Sequence, residues 1–98
     1  AAGADLDSPA GHRQLITHVP ESGAVVSEQP PGARPYAGGF LHRNRLIAAL
    51  ADATIVVEAG ARSGSLNTAG HAALMGRPVG AVPGPITSAA SAGCHRLL

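Results

Sequence analysis

The sequence has no lysine and no tryptophan, and only one each of cysteine, methionine, tyrosine and phenylalanine among 98 residues. Without lysine there is no Walker A loop, no Schiff base and no lysine general base. A single cysteine, Cys94, excludes an internal disulfide, so the chain reads as cytoplasmic. Charged residues make up 13% and hydrophobic ones 45%, which excludes a highly charged disordered tail. No run approaches the ~18 apolar residues of a membrane span. Ala1-Ala2-Gly3-Ala4-Asp5 has neither the basic nor the apolar region of a signal peptide. His12, His18, His42, His71 and His95 are scattered without metal-ligand spacing, so no metal or cofactor is expected.

What is present is arginine. All seven basic residues are arginines, and they are unevenly opposed. Residues 1–58 carry four against six acids, whereas residues 59–98 carry Arg62, Arg77 and Arg96 and no acid. That asymmetry fits an anionic ligand near the second half.

Ser8-Pro9 reads as an N-cap with proline at the first helical position, opening a helix over roughly 9–19 that Pro20 blocks. Ala24-Val25-Val26-Ser27 reads as a short buried strand. Gln29 to Gly39, rich in proline and glycine, reads as a loop long enough to be functional. A second helix is predicted from Leu41 to about Ala51. The β-branched run Thr54-Ile55-Val56-Val57-Glu58 predicts a strand covered on both faces. A third helix follows from Ser65 to Met75, ended by Gly76, with Leu66, Ala69, Gly70, Ala73 and Leu74 as its buried face. Val79 to Val82 predicts a third strand, stopped by Pro83-Gly84-Pro85, and Gly93 opens a last helix.

Alternating strands and helices with short links predict a Rossmann-like parallel α/β sheet of about three strands with helices on both faces. Ninety-eight residues would form only part of such a domain, so residues 1–98 read as a partial domain. Ligands of open parallel sheets sit beyond the strands' carboxyl ends. That rule gathers Ser27–Gly32, Glu58–Ser65 and Pro83–Pro85 on one edge.

Within the middle stretch, Ser63-Gly64-Ser65 leads into the third helix beside Arg62. Exposed backbone N–H groups and the helix dipole there attract phosphate; equally, either serine serves as a plain N-cap. Arg43 falls in line with the apolar stripe of its helix, early in the helix, where a cation meets the dipole unfavourably. Such an arginine wants an anion, either a carboxylate such as Glu28 or Glu58 or a ligand phosphate. Arg45 lies on the opposite side, towards Asp52. Tyr36 is placed to stack on a base, and Phe40 to staple the helix start. Glu28 and Glu58 read as ion-pair partners rather than an acid–base pair, and Cys94 as a small buried residue.

Taken in order, these segments resemble the DNA processing protein A (DprA/Smf) family. The matching residues are Ser27-Glu28, Pro30-Pro31-Gly32, Phe40, Arg43-Asn44-Arg45-Leu46-Ile47-Ala48, Val56-Val57-Glu58-Ala59 and Ser63-Gly64-Ser65-Leu66-Asn67-Thr68-Ala69. Gly76-Arg77-Pro78-Val79, Val82-Pro83-Gly84 and Gly93-Cys94-His95-Arg96-Leu97-Leu98 continue the series, and the resemblance covers roughly residues 8–98. It implies an extended Rossmann fold, a cytoplasmic homodimer, single-stranded DNA binding and loading of the RecA recombinase in natural transformation, without catalysis. By motif position it implies that Arg43 and Arg45 are the family's arginine pair near a basic pocket and Ser63-Gly64-Ser65 its glycine-serine turn; with Asn44 and Arg62 these residues are the expected nucleic-acid site. The family's first half, with its Gly-Ser-Arg phosphate loop, is not among these residues. A rival reading is a nucleotide-binding phosphoribohydrolase-like enzyme of the lysine-decarboxylase-like group, similar at the glycine-rich turn. That group needs a PGGxGTxxE motif, and no acid follows Glu58.

Overall fold

A computed structural model describes residues 2–98, which divide into two compact units, one ending at Phe40 and one running from Leu41 to Leu98.

In the first unit a 3₁₀ turn, Ala10–His12, leads into α1, Arg13–Ser22. Pro9 precedes the 3₁₀ turn and no side chain caps it, so Ser8 is not the N-cap that the Ser-Pro pair predicts. Pro20 lies inside α1 instead of ending it. Proline removes the N–H that the Ile16 carbonyl would receive. No residue of α1 is buried, so water can take that carbonyl. Residues 24–27 form no strand, and Val26 is 77% exposed. β-branched residues favour an extended chain, but a strand exists only with a ladder partner, and among the described residues these have none.

Hydrogen bonds fasten the start of this unit to its proline-glycine segment. The Gly3 N–H donates to the Ala33 carbonyl at 2.8 Å. Both carboxylate oxygens of Asp5 accept from the Gly32 N–H, at 2.8 and 2.9 Å. Ser27 Oγ donates to the Ala2 carbonyl and accepts from the Gln29 N–H.

Helix α2, Gly39–Leu50, leads into the second unit. It starts two residues before its predicted boundary, which puts Phe40 inside the first turn rather than ahead of it as a staple. Strand β1, Thr54–Val56, then α3, Gly64–Leu74, and β2, Val79–Ala81, form one right-sized crossover unit. The strands pair in parallel, Thr54 with Val79, Ile55 with Gly80 and Val56 with Ala81. A second 3₁₀ turn, Ala89–Ser91, runs into α4, Ala92–Leu97. The sheet therefore has two strands among the described residues, not about three.

Helix α3 ends as its sequence dictates. Gly76 takes φ +71°, its N–H donates to Ala73 and the Arg77 N–H reaches back to Ala72. This is a Schellman stop, in which glycine supplies the left-handed residue without a Cβ penalty.

The core lies between one sheet face and α3 and α4. Val56, Ala59, Ala69 and Cys94 are buried together, with Leu66, Val79 and Ala81 packed around them. Small side chains at these positions let the helices approach the strands closely. Cys94 is fully buried, and its Sγ donates to the Val56 carbonyl at 3.5 Å. Strand β1 is not covered on both faces: Ile55 and Val57 are 68% and 71% exposed, while Val56 between them is buried. Alternation along a strand sends neighbours to opposite faces, and both core helices sit on the Val56 side. The buried face of α3 is also turned from its predicted one. Thr68, Ala69 and Ala72 are buried, and Gly70, Ala73 and Leu74 are exposed.

Candidate nucleic-acid interface

Parallel pairing brings the carboxyl ends of β1 and β2 to the same edge. There the segment from Val57 to Ser63 runs towards α3, and the segment from Val82 to Pro85 leaves β2. Two of the three stretches expected at this edge thus meet in the second unit; Ser27–Gly32 belongs to the first. Helix α4 holds both segments from behind. The Gly93 N–H donates to the Ala59 carbonyl at 2.7 Å. His95 Nε2 stands 3.0 Å from the Gly84 carbonyl oxygen and 3.2 Å from its nitrogen.

Ser63 is the N-cap of α3, and its Oγ accepts from the Ser65 N–H at 3.2 Å. The cap reading of Ser63 is therefore realised, and one of the N–H groups at the helix start is satisfied from within. Arg62, Gly64 and Ser65 are exposed at this corner.

Arg43, Asn44 and Arg45 sit on α2, on different sides of the helix. Arg43 is a half-buried residue, and its guanidinium donates through Nε to Asn44 Oδ1 at 3.4 Å. Arg45 Nη2 lies 3.3 Å from His42 Nε2. Asn44 departs from the expected ligand contact. It is only 7% exposed, and its amide donates to the Gly64 carbonyl at 3.4 Å and to Asn67 Oδ1 at 3.3 Å. A buried, bonded amide faces the protein rather than solvent. Through Asn44, Arg43 on α2 is tied to the first turn of α3. Asn67 stands outside the sequence-derived candidates. Its signal was its place one turn after the Ser63 cap, on the side of α3 that Gly64 shares.

Asp52 is approached by Arg77, at 4.0 Å, and Arg77 Nη1 also donates to the Ala51 carbonyl just beyond α2. Arg77 is thereby a helix-end clamp and is spent on structure. A separate hollow of about 360 Å³ lies between α3 and α4 beside Val79 of β2, with Arg96 and Leu97 in its wall.

The division of charge follows the division into units. Residues 1–40 hold two arginines and four acids, a balance of −2. Residues 41–98 hold five arginines and two acids, a balance of +3. An excess of arginine around a glycine-serine helix start suits a phosphate-bearing ligand.

The whole chain, residues 1–98, matches the family described as DNA recombination-mediator protein A. The chain belongs to that family. It is 56% identical over 98 residues to the putative DNA processing protein DprA of Mycobacterium tuberculosis, covering 100% of this chain and 25% of the relative. The structure of DNA processing protein A from Streptococcus pneumoniae superposes with a TM-score of 0.91 at 42% identity, over 98% of this chain and 34% of the other. DNA processing protein A from Helicobacter pylori, which has a single-stranded DNA binding mode, superposes with a TM-score of 0.88 at 30% identity. That match covers 98% of this chain and 44% of the other. The DprA chains thus share this α/β arrangement, and the present chain spans less than half the length of each of these relatives.

Proposed function

We propose that this chain supplies part of a single-stranded DNA-binding surface to a DprA recombination mediator. The observation that carries the reading is the arginine-rich corner at the strands' carboxyl ends. There Arg62, Gly64 and Ser65 open α3, and Arg43 is tethered to the same turn through Asn44. Likeness to the Helicobacter pylori protein, with its single-stranded DNA binding mode, supports it. In this reading Arg43, Arg45 and Arg62 neutralise phosphates, with the Ser63-Gly64-Ser65 turn as their backbone partner. The protein works by binding, as a cytoplasmic homodimer, and passes single strands to the RecA recombinase. In this reading its role is binding rather than catalysis; within residues 59–98 no acid stands where a phosphoribohydrolase would need its base.

The test is a titration of the full-length protein with single- and double-stranded oligonucleotides at two salt concentrations. Four neutralised phosphates, at a slope near −0.7 each, weaken single-strand binding roughly 50-fold between 50 and 200 mM salt. Salt-independent association, or unchanged affinity after Arg43→Ala and Arg62→Ala, overturns the reading. Release of free base from a nucleoside monophosphate would restore the enzyme alternative. RecA loading is read separately, from RecA filament growth on strands coated with the mediator; no stimulation removes that step alone.

A further inference from the structure

We infer that Asn44 is a positioning residue that makes Arg43 and the opening turn of α3 act as one anion-binding rim. The inference rests on the DNA-binding reading above and assigns Asn44 a role different from ligand contact. Asn44 is buried, yet it is polar and carries no charge of its own to offer a phosphate. A buried amide needs partners for both its donor and its acceptor ends. Here the two ends go to two different parts of the candidate site. Its Oδ1 accepts from Arg43 Nε on α2, and its Nδ2 donates to the Gly64 carbonyl and to Asn67 Oδ1 on α3.

The consequence is geometric. Arginine carries considerable rotamer freedom, and holding its Nε narrows the directions its terminal nitrogens can take. The same side chain ties the first turn of α3 to α2, so the helix start and the guanidinium keep a set separation. A polyanion that bridges them meets donors already in place, which lowers the ordering cost of binding. Packing alone would not ask for asparagine here: an apolar residue of similar size would fill the space between α2 and α3 without the desolvation penalty.

The experiment is a double-mutant cycle in the full-length protein, reading single-stranded DNA affinity and its salt slope. Asn44→Ala should weaken binding about tenfold and flatten the slope by about 0.7, the loss of one phosphate contact. On an Arg43→Ala background the same change should cost less than twofold, because Asn44 acts through Arg43. Asn67→Ala, at an exposed position, keeps the experiment decisive should Asn44→Ala fail to fold. It removes one acceptor of the Asn44 amide, and should weaken binding about threefold with an unchanged melting temperature and no effect on the Arg43→Ala background. Equal losses with and without Arg43, or an unchanged slope in folded Asn44→Ala, overturn the inference while leaving the DNA-binding reading standing. Salt-independent binding by the unmutated protein overturns that reading itself.

Discussion

The backbone N–H of Gly93 lies 2.7 Å from the carbonyl oxygen of Ala59, and a Cβ placed on Gly93 would stand 2.8 Å from that same oxygen. The opening of α4 is thus laid directly against the chain leaving β1, at a distance only glycine permits. This contact joins the core to the candidate interface, because the same segment runs on through Gly60 and Arg62 to the start of α3.

Gly93→Ala is therefore expected to be costly. The added methyl meets backbone oxygens of both Ala59 and Gly60, which cannot swing aside as a side chain would. Overpacking of this kind destabilises by about 1–3 kcal/mol, and the loss of the hydrogen bond pushes the value to the upper end. Urea denaturation of the full-length protein measures it; a change below about 0.5 kcal/mol would mean that α4 relaxes freely.

Gly84 faces a different neighbour. A Cβ there would collide with the Ser91 hydroxymethyl, a buried side chain rather than backbone. Gly84→Ala should cost about 1–3 kcal/mol, and adding Ser91→Gly should recover more than half of that loss. Additive effects of the two changes in a denaturation cycle would contradict the assigned clash.

Arg77 holds two partners of unequal worth. Its Nη1 donates to the Ala51 carbonyl at 2.8 Å, whereas the Asp52 carboxylate is 4.0 Å away on a fully exposed side chain. Arg77→Ala should lower stability by about 1 kcal/mol, the figure for a partly exposed charge-assisted bond. Asp52→Ala should change it by less than about 0.5 kcal/mol. Thermal melts of both variants decide, and equal losses would shift the weight to the ion pair.

Arg62 and Arg96 should separate in DNA binding. Arg62 stands at the opening of α3, and Arg96 lines the hollow between α3 and α4. Arg62→Ala is expected to reduce the salt slope by about 0.7 and Arg96→Ala to leave it unchanged. A fluorescence-anisotropy titration at several salt concentrations measures both; a flattened slope in Arg96→Ala would extend the interface into that hollow.

Much of this was legible in the residues alone. The β-branched run at 54–57 announced β1, the serines flanking Gly64 announced the start of α3 without saying which of them caps it, and Gly76 announced its end, because capping and left-handed turns are local physics written in single side chains. The ordered motifs carried the family. Residues 24–27 misled because β propensity describes a chain ready to pair and says nothing of whether a partner is present. The predicted burial of Ile55 and Val57 failed for a related reason, since an apolar strand can be read as covered on either face.

Local chain chemistry, then, determined roughly where the α-helices and strands of the second unit lie, and which residues were chemically fit for an anion. Only the tertiary structure decided their orientation. The positions of Arg43, Asn44 and Arg45 are adjacent in sequence, yet packing against α3 turned the middle one inward, onto Gly64 and Asn67. A helical repeat states the angles between side chains; which of them faces a neighbour is settled by the long-range contacts that bring that neighbour in.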